Sequence, residues 1–193
     1  MLVKLIMCAA AAAATIEWRG ITAKIKDRDI LRGVGGEAKA GRLHAIMGPS
    51  GSGKTSLLSA LSGTCDRRLK LSGDLRADGV AVDKVKGAYV RQQDVFYPYL
   101  TVRETLTFAA TLRLGADADV PKIVDSILMK TGLAKAADTI VGDDKIRGVS
   151  GGERKRLAIA CELVDDPDVL FLDEPTSGLD SFAAQRVVAS LRT

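Results

Sequence analysis

Residues 43–55 of this 193-residue chain read LHAIMGPSGSGKT. The short apolar run at residues 43–47 predicts a strand, and residues 55–61 predict a helix that ends near Gly63. Between them, Gly48 and Gly53 are separated by four residues and followed by Lys-Thr, which is the pattern of a phosphate-binding loop. We therefore predict a strand, a loop and a helix in direct succession.

The predicted loop suits a nucleoside triphosphate bound with magnesium. A triphosphate concentrates negative charge, so the backbone must offer it several N–H donors, and glycines allow that close approach. The helix that follows adds the favourable end of its dipole. Lys54 can reach the outer phosphates, and the Thr55 hydroxyl can ligate Mg²⁺. The predicted nucleotide-binding residues are Gly48, Pro49, Ser50, Gly51, Ser52, Gly53, Lys54 and Thr55.

Two acidic residues follow a second apolar run. Residues 169–172 are continuously apolar, as in a strand of a parallel sheet covered on both faces, and Asp173 and Glu174 come next. Ligands of open α/β sheets bind at the carboxyl ends of strands. We expect Asp173 to hold Mg²⁺ through its hydration shell and Glu174 to deprotonate the water that attacks the γ-phosphate. The alternative is an ordinary loop that begins with two acids, and the phosphate loop argues against it.

A second anion-binding helix start is predicted at Ser150-Gly151-Gly152-Glu153. Ser150 and Glu153 have capping-box spacing, and the two glycines are expected to leave the first N–H groups of the helix exposed. Alone, this pattern is a weak indication, because capping boxes begin many ordinary helices.

Three further stretches predict strands. Residues 15–25 alternate as half-buried strands do, and residues 88–90 read as a short strand. Asp78-Gly79 is a turn dipeptide that predicts a hairpin between residues 75–77 and 80–82.

Two further stretches predict helices. Thr101 and Glu104 form a capping box for a helix that runs to about Leu114, and another helix is expected from near Lys122 to Gly132. Strands that alternate with helices make the fold class α/β.

The composition is that of a folded globular protein without a nucleic-acid partner. Hydrophobic residues make up 47% and charged residues 27%, and the net charge of +4 comes from basic residues scattered among nearly as many acids. Cys8, Cys65 and Cys161 are widely spaced and odd in number, which favours a reducing compartment. The single histidine, His44, lies in an apolar run and is expected to be structural.

Residues 1–14 form an Ala-rich leader. Lys4 precedes an apolar run at residues 5–14, which fits the hydrophobic region of a signal peptide, an Ala-rich helix or an irregular leader. A signal peptide would export a domain that is built to use ATP, which argues against that interpretation. No run reaches the roughly 18 to 20 apolar residues that span a bilayer.

Several segments together resemble the ATP-binding cassette (ABC) ATPases. In chain order, GPSGSGKT, VSGGERKR and DVLFLDEPTSGLDS resemble the Walker A, signature, Walker B and D-loop segments of that family. YVRQQDVFYPYLTVRETL resembles its glutamine loop, with Gln92 in the glutamine position. LTVRETL, VGDDKIRGVSGGERKRLAIACEL and DEPTSGLDS are similar to the plant-type half-transporters of the G subfamily, also called the white/brown type. The similarity covers nearly all of residues 16–193.

The resemblance implies a P-loop NTPase (RecA-like) core, an N-terminal antiparallel β-subdomain and an inserted α-helical subdomain at about residues 94–163. Residues 15–193 are expected to form the nucleotide-binding domain and to end before the switch histidine of the family. The resemblance also implies that membrane domains outside this sequence bind the transported substrate and hold the cytosolic cassette at the membrane.

The resemblance further implies that two cassettes meet head to tail over ATP and Mg²⁺. Residues 150–153 of one chain would close over ATP held by the other chain, and Asp180 would couple the two sites. Gln92 would contact Mg²⁺ and the attacking water as a catalytic residue beside Glu174. The metal site would comprise Thr55, Gln92 and Asp173. ATP would dock the cassettes, and hydrolysis would release them to drive export.

The chain departs from the family pattern in two ways. The aromatic residue that stacks on adenine aligns near Ala23, and Trp18 would be a poor substitute. His44 precedes the phosphate loop, so it cannot replace the switch histidine. Two alternative functions stay open at this point. One is a nucleotide-binding module that dimerises or regulates without turnover, and the other is a soluble ABC protein of repair or translation, for which a second cassette or a coiled-coil insertion would be expected.

Overall fold

Strands and helices follow one another in mixed order, which confirms the expected α/β class. The computed structural model describes residues 2–8, 15–26, 28–66, 68–81 and 87–191. The strands are β1 (Leu2–Cys8), β2 (Ile16–Ile25), β3 (Arg28–Ala38), β4 (Leu43–Gly48), β5 (Lys70–Ala77), β6 (Val80–Ala81), β7 (Gly87–Val90) and β8 (Val169–Asp173). The helices are α1 (Lys54–Leu61), α2 (Val102–Arg113), α3 (Val120–Lys130), α4 (Gly151–Glu162) and α5 (Ser181–Ser190), with a short 3-10 helix at Ala134–Ala136.

The chain divides into two compact units. One unit comprises Met1–Tyr89 and Asp168–Glu174, and the other comprises Val90–Pro167 and Pro175–Thr193. The first unit holds the phosphate loop, and it also holds Asp173 at the end of β8 and Glu174 directly after it. The second unit holds Gln92, the start of α4 and Asp180.

The first sheet of the first unit has the strand order β4-β1-β8-β7. β1 pairs antiparallel with both of its neighbours, so β4 and β8 run parallel to each other on either side of it. Lys4 stands opposite Ile46 on one side and opposite Asp173 on the other. The chain therefore leaves β4 and β8 at the same edge of the sheet, about 10 Å apart, because adjacent strands are about 4.8 Å apart.

Two expectations about these strands are wrong. The run at residues 5–14 is not a helix over the part described here, because residues 5–8 belong to β1, while residues 9–14 lie outside the described residues. β8 is buried along its whole length as predicted, but its pairing with β1 is antiparallel rather than parallel. A continuous apolar run indicates burial on both faces and carries no information about the direction of the neighbouring strand.

The second sheet of the first unit is antiparallel, with the strand order β3-β2-β5-β6. The predicted hairpin is confirmed between β5 and β6. Asp78 and Gly79 have φ angles of 46° and 82°, and two successive residues with positive φ are what a two-residue hairpin turn requires. The Asp78 side chain also accepts a hydrogen bond from the Thr15 backbone at 2.9 Å, which ties the turn to the start of β2.

The core of the first unit lies between α1 and strands of both sheets. Each fully buried leucine contributes about 1.5 to 3 kcal/mol relative to an exposed one. His44 is structural in the sense expected, because its ring meets the buried Trp18 indole edge to face, with 5.8 Å between centroids. The buried core residues are Ile16, Trp18, Ile21, Ala23, Leu31, Ala38, Leu57, Leu58, Ala60, Leu61, Val169 and Phe171.

The second unit is helical, with its own core from α2, α3 and α4. Both predicted capping boxes are confirmed: Thr101 and Glu104 close the start of α2, and Ser150 and Glu153 close the start of α4. Arg113 at the end of α2 forms a bidentate salt bridge with Glu162 of α4, with N–O distances of 2.7 and 3.1 Å. Within the described residues, no helix is both long and apolar enough to cross a membrane.

Candidate functional site

The phosphate loop begins at the end of β4 and leads into α1 as predicted. Gly51 and Gly53 have φ angles of 78° and 86°, in the left-handed region that favours glycine. A Cβ atom on Gly53 would also lie 2.9 Å from Leu31 Cδ2, so the chain is packed too closely there for a side chain. Because glycines carry no side chain, the backbone at these positions can approach a ligand closely.

The Lys54 side chain folds back onto this loop and contacts its oxygen atoms. Its ammonium donates to the Pro49 carbonyl oxygen and, at 3.3 Å, to Ser52 Oγ. The residue is only 7% exposed although it carries a full charge. A buried ammonium held by loop oxygens is a ready counter-charge for phosphate at the same place.

A cavity of about 230 Å³ brings the loop and Glu174 together. The lining residues are Ile30, Ser50, Gly51, Gly53, Lys54, Thr55, Ser56 and Glu174. Glu174 belongs to this wall because β4 and β8 end at the same edge of the sheet. The sequence did not predict Ile30 in this position, since an isoleucine on a strand carries no sign of a ligand.

Glu174 has a strained backbone. Its φ angle is 50°, and a non-glycine residue in this region costs about 1 to 2 kcal/mol. The residue is 6% exposed. A buried carboxylate in a strained turn beside a cavity is typical of a functional position rather than of an ordinary loop.

Asp173, the preceding residue, is also buried and is held by Tyr89. The Tyr89 hydroxyl donates to Asp173 Oδ2 at 3.2 Å. No role in this site was predicted for Tyr89. Its contact with Asp173 spans 84 positions of the chain, and no local pattern encodes it.

The oxygen groups in this unit fit a magnesium ion bound with a nucleotide. Among the residues that the structure describes, no three His, Cys, Asp or Glu side chains cluster closely enough to hold a metal by themselves. Mg²⁺ does not need such a cluster, because it commonly takes one or two carboxylates together with phosphate oxygens and water. Thr55 and Asp173 supply a hydroxyl and a carboxylate of the required kind.

The start of α4 has the predicted capping box, whereas binding of an anion there stays a prediction. Ser150 Oγ accepts from the Glu153 backbone at 3.3 Å, and Glu153 Oε2 accepts from the Ser150 backbone at 2.8 Å. Burial alone would raise the pKa of Glu153, but the hydrogen bonds from Ser150 outweigh it and the pKa is lowered. Gly151 is exposed, as predicted.

Gly152 differs from the expectation, because it is buried rather than exposed. A Cβ atom there would lie 3.1 Å from the Cβ of Ala183, so this glycine allows α4 and α5 to pack closely. One glycine of the pair therefore leaves the helix start open and the other serves packing.

Two arginines give this end of α4 a positive surrounding. Arg156 is buried, and its Nη1 lies 3.7 Å from the position that a Gly152 Cβ would occupy. Desolvation lowers the pKa of Arg156, and the neighbouring Arg186 of α5 lowers it further. The nearby Glu153 carboxylate acts in the opposite direction.

Asp180 caps α5. Its Oδ1 accepts from the backbone of Phe182 at 2.9 Å and of Ala183 at 3.0 Å. This contact fixes the turn before the helix, whereas the expected role across a dimer interface stays a prediction.

Gln92 lies in an exposed stretch of the second unit that is neither helix nor strand. Its carbonyl oxygen accepts from Lys155 Nζ of α4 at 3.0 Å. Lys155 also forms an ion pair with Asp94 at 2.7 Å, and burial raises the pKa of Asp94 although Lys155 acts in the opposite direction. The sequence did not predict this contact, because the run Arg154-Lys155-Arg156 looks like the solvated side of a helix.

The burial of Trp18 agrees with the expectation that it is a poor substitute for the aromatic residue that stacks on adenine. This residue is 3% exposed and packs against His44, so it cannot substitute for the stacking aromatic. Ala23 is fully buried as well.

Comparison with known proteins agrees with these features. The sequence profile of the ABC transporter family matches residues 31–177. ABC transporter G family member 7 of Arabidopsis thaliana is 50% identical over 191 residues, which cover 92% of this chain and 26% of that protein. ABC transporter G family member 5 of Oryza sativa subsp. japonica is 46% identical over 172 residues, with 86% and 22% covered.

The chain thus spans about a quarter of the length of these relatives. The family match includes the phosphate loop, Gln92, the start of α4, and Asp173 and Glu174. The chain therefore belongs to the ABC transporter family and resembles the plant members of its G group.

Proposed function

We propose that this chain is the ATP-binding and ATP-hydrolysing cassette of a G-type half-transporter. The observation that carries the proposal is the cavity shared by Lys54, Thr55 and Glu174. A cation, a hydroxyl and a carboxylate at one cavity are what hydrolysis of a magnesium-bound triphosphate requires. The relatives that this chain resembles are named as transporters, and their names support the same function.

The phosphates bind to backbone N–H groups of the loop after Pro49, and Lys54 turns from its loop oxygens to the outer phosphates. Thr55 and Asp173 hold Mg²⁺, which offsets charge on the phosphates when it is bound. Tyr89 keeps the Asp173 carboxylate in place through the hydrogen bond to Oδ2. Glu174 accepts a proton from the attacking water at its carboxylate, and Gln92 orients that water.

A second cassette completes the site. The Ser150 hydroxyl and the Gly151 N–H group contact the phosphate held by the partner chain, and Arg156 and Arg186 favour that negative charge. Glu153 braces the turn, Gly152 permits the packing of α5, and Asp180 contributes the cross-interface coupling. The nucleotide-binding domain of residues 15–193, with its helical lobe at about residues 94–163, would act in the cytosol, joined to membrane domains that bind the exported substrate.

The decisive experiment is gel filtration of the Glu174→Gln chain with and without Mg-ATP. The substitution removes the base but spares the phosphate loop, so ATP should stay bound and hold two chains together. We expect a shift to dimer size with Mg-ATP and none with ADP. A monomer without bound nucleotide would contradict the proposal.

Lys54→Ala is the matched control, because it removes the phosphate contact and leaves Glu174 in place. It should weaken nucleotide affinity itself in a titration with a fluorescent ATP analogue. If the unaltered chain binds ATP tightly but releases no phosphate, the alternative of a regulatory module without turnover is favoured.

A further inference from the structure

The Lys155 ammonium is buried in the second unit with a complete set of partners. It donates to the carbonyl oxygens of Arg91 and Gln92 at 3.3 and 3.0 Å, and to Asp94 Oδ1 at 2.7 Å. Its side chain is 5% exposed and that of Asp94 is 10% exposed. An ammonium has three N–H donors, and the three contacts use all of them.

Two of these three contacts hold main chain rather than a side chain. Residues 91–100 form neither helix nor strand, so they lack the repeating backbone hydrogen bonds of those elements. Lys155 instead anchors the backbone of this stretch from α4, one turn beyond the Ser150 cap. A simple buried ion pair would need only the Asp94 contact.

We propose that Lys155 is a positioning residue that holds the main chain at Gln92 against α4 and so fixes Gln92 relative to Ser150. The inference rests on the proposed function, in which Gln92 orients the attacking water and Ser150 contacts phosphate on a partner chain. Lys155 itself touches neither nucleotide nor water.

The contacts predict different effects for the two members of the pair. Lys155→Met removes all three contacts, whereas Asp94→Asn leaves both carbonyl contacts in place. If Lys155 positions main chain, the first substitution should be much the more harmful. If the pair serves only as a buried salt bridge, the two should be equally harmful, since each leaves one charge alone.

The first measurement is amide hydrogen exchange of the whole chain, resolved to peptides that cover residues 91–100. Lys155→Met should speed exchange there by about tenfold or more, and Asp94→Asn by clearly less. Arg113→Met is the matched control, because it breaks another cation–carboxylate contact to α4, at Glu162, without touching residues 91–94. It should leave exchange at residues 91–100 unchanged.

A double variant, Lys155→Met with Asp94→Leu, guards against misfolding of the single variant. It removes both buried charges, which proteins often tolerate, yet it still lacks the carbonyl contacts. Exchange at residues 91–100 should therefore be as fast as in Lys155→Met. Protection equal to that of the unaltered chain would overturn the proposal, as would equal effects of Lys155→Met and Asp94→Asn.

The second measurement is ATP turnover against ATP concentration. Lys155→Met should lower kcat by about tenfold while nucleotide affinity stays within about twofold, because the phosphate loop belongs to the other unit. An equal loss in affinity would contradict a positioning role. Absence of turnover in the unaltered chain would count against the proposed function instead, and the exchange measurement would still decide whether Lys155 holds this stretch.

Discussion

The Tyr89 hydroxyl donates a hydrogen bond to Oδ2 of Asp173 at 3.2 Å, across 84 positions of the chain. Tyr89 stands on β7 and Asp173 ends β8, and the two strands are neighbours in the sheet. The contact fixes one oxygen of the carboxylate that we propose as a magnesium ligand.

Tyr89→Phe should therefore raise the Mg²⁺ concentration needed for nucleotide binding. Loss of one hydrogen bond to a charged group costs about 1 kcal/mol or somewhat more, which corresponds to a requirement for roughly fivefold more Mg²⁺. Titration of ATP affinity against Mg²⁺ measures this shift. Tyr97→Phe is the control, because the same atom is removed from an exposed side chain. Equal curves for both variants would show that the Tyr89 contact has no bearing on the metal.

The parts of the site that the sequence predicted are encoded by short patterns. The phosphate loop needs left-handed backbone at Gly51 and Gly53 within a few residues, and glycine supplies it. The capping box at Ser150 and Glu153 is likewise complete within four residues. Such features can be predicted from the sequence, because the residues that form each of them lie within a few positions of one another.

The parts that the sequence did not predict depend on distant pairing. β3 was not predicted for a local reason, because Gly33, Gly35 and Gly36 interrupt the pattern of residues that is typical of a strand. Lys155 and Asp94 are 61 positions apart, and each alone looks like a solvated charge. β1 pairs with two strands that lie far from it in the sequence, and no local pattern predicts such pairing.

The two glycines at the start of α4 should respond differently to the same substitution. Gly152→Val would push side-chain atoms into Ala183, where even a Cβ is only 3.1 Å away, and overpacking of this kind costs about 1 to 3 kcal/mol. Gly151→Val meets Leu179 Cδ2 at 3.4 Å, an ordinary contact, and should cost clearly less. Urea unfolding of both variants gives the comparison. Equal losses of unfolding free energy would contradict the packing role assigned to Gly152.

The position of β1 predicts a strong effect of proline in that strand. β1 pairs on both sides, with β4 and with β8, so each residue of its interior contributes to a ladder. Ile6→Pro removes a backbone donor and forces the chain out of register, at a cost of about 2 kcal/mol or more. Ile6→Val keeps the donor and the strand propensity and serves as control. If thermal unfolding shows the same midpoint for both variants, β1 does not hold β4 and β8 together.

The partly buried thiol of Cys161 predicts a loss of stability at alkaline pH. Desolvation raises the pKa of Cys161 to about 12, and the nearby Glu162 adds to the rise. Between the ordinary value of 9.0 and this value, the folded chain keeps a proton that the unfolded chain releases. The contribution is therefore fully present below pH 9.0 and declines as the pH rises, by up to about 1.4 kcal/mol per pH unit.

Cys161→Ala should remove this component and leave the remaining pH dependence as it was. The measurement is the free energy of unfolding in urea at several pH values from 8 upward, compared between the unaltered chain and the variant. Their difference should shrink as the pH rises above 9.0, because lysines and tyrosines titrate equally in both chains and cancel. A constant difference would mean that the thiol ionises in the folded chain as easily as in water, which its burial beside Glu162 and Asp94 does not allow.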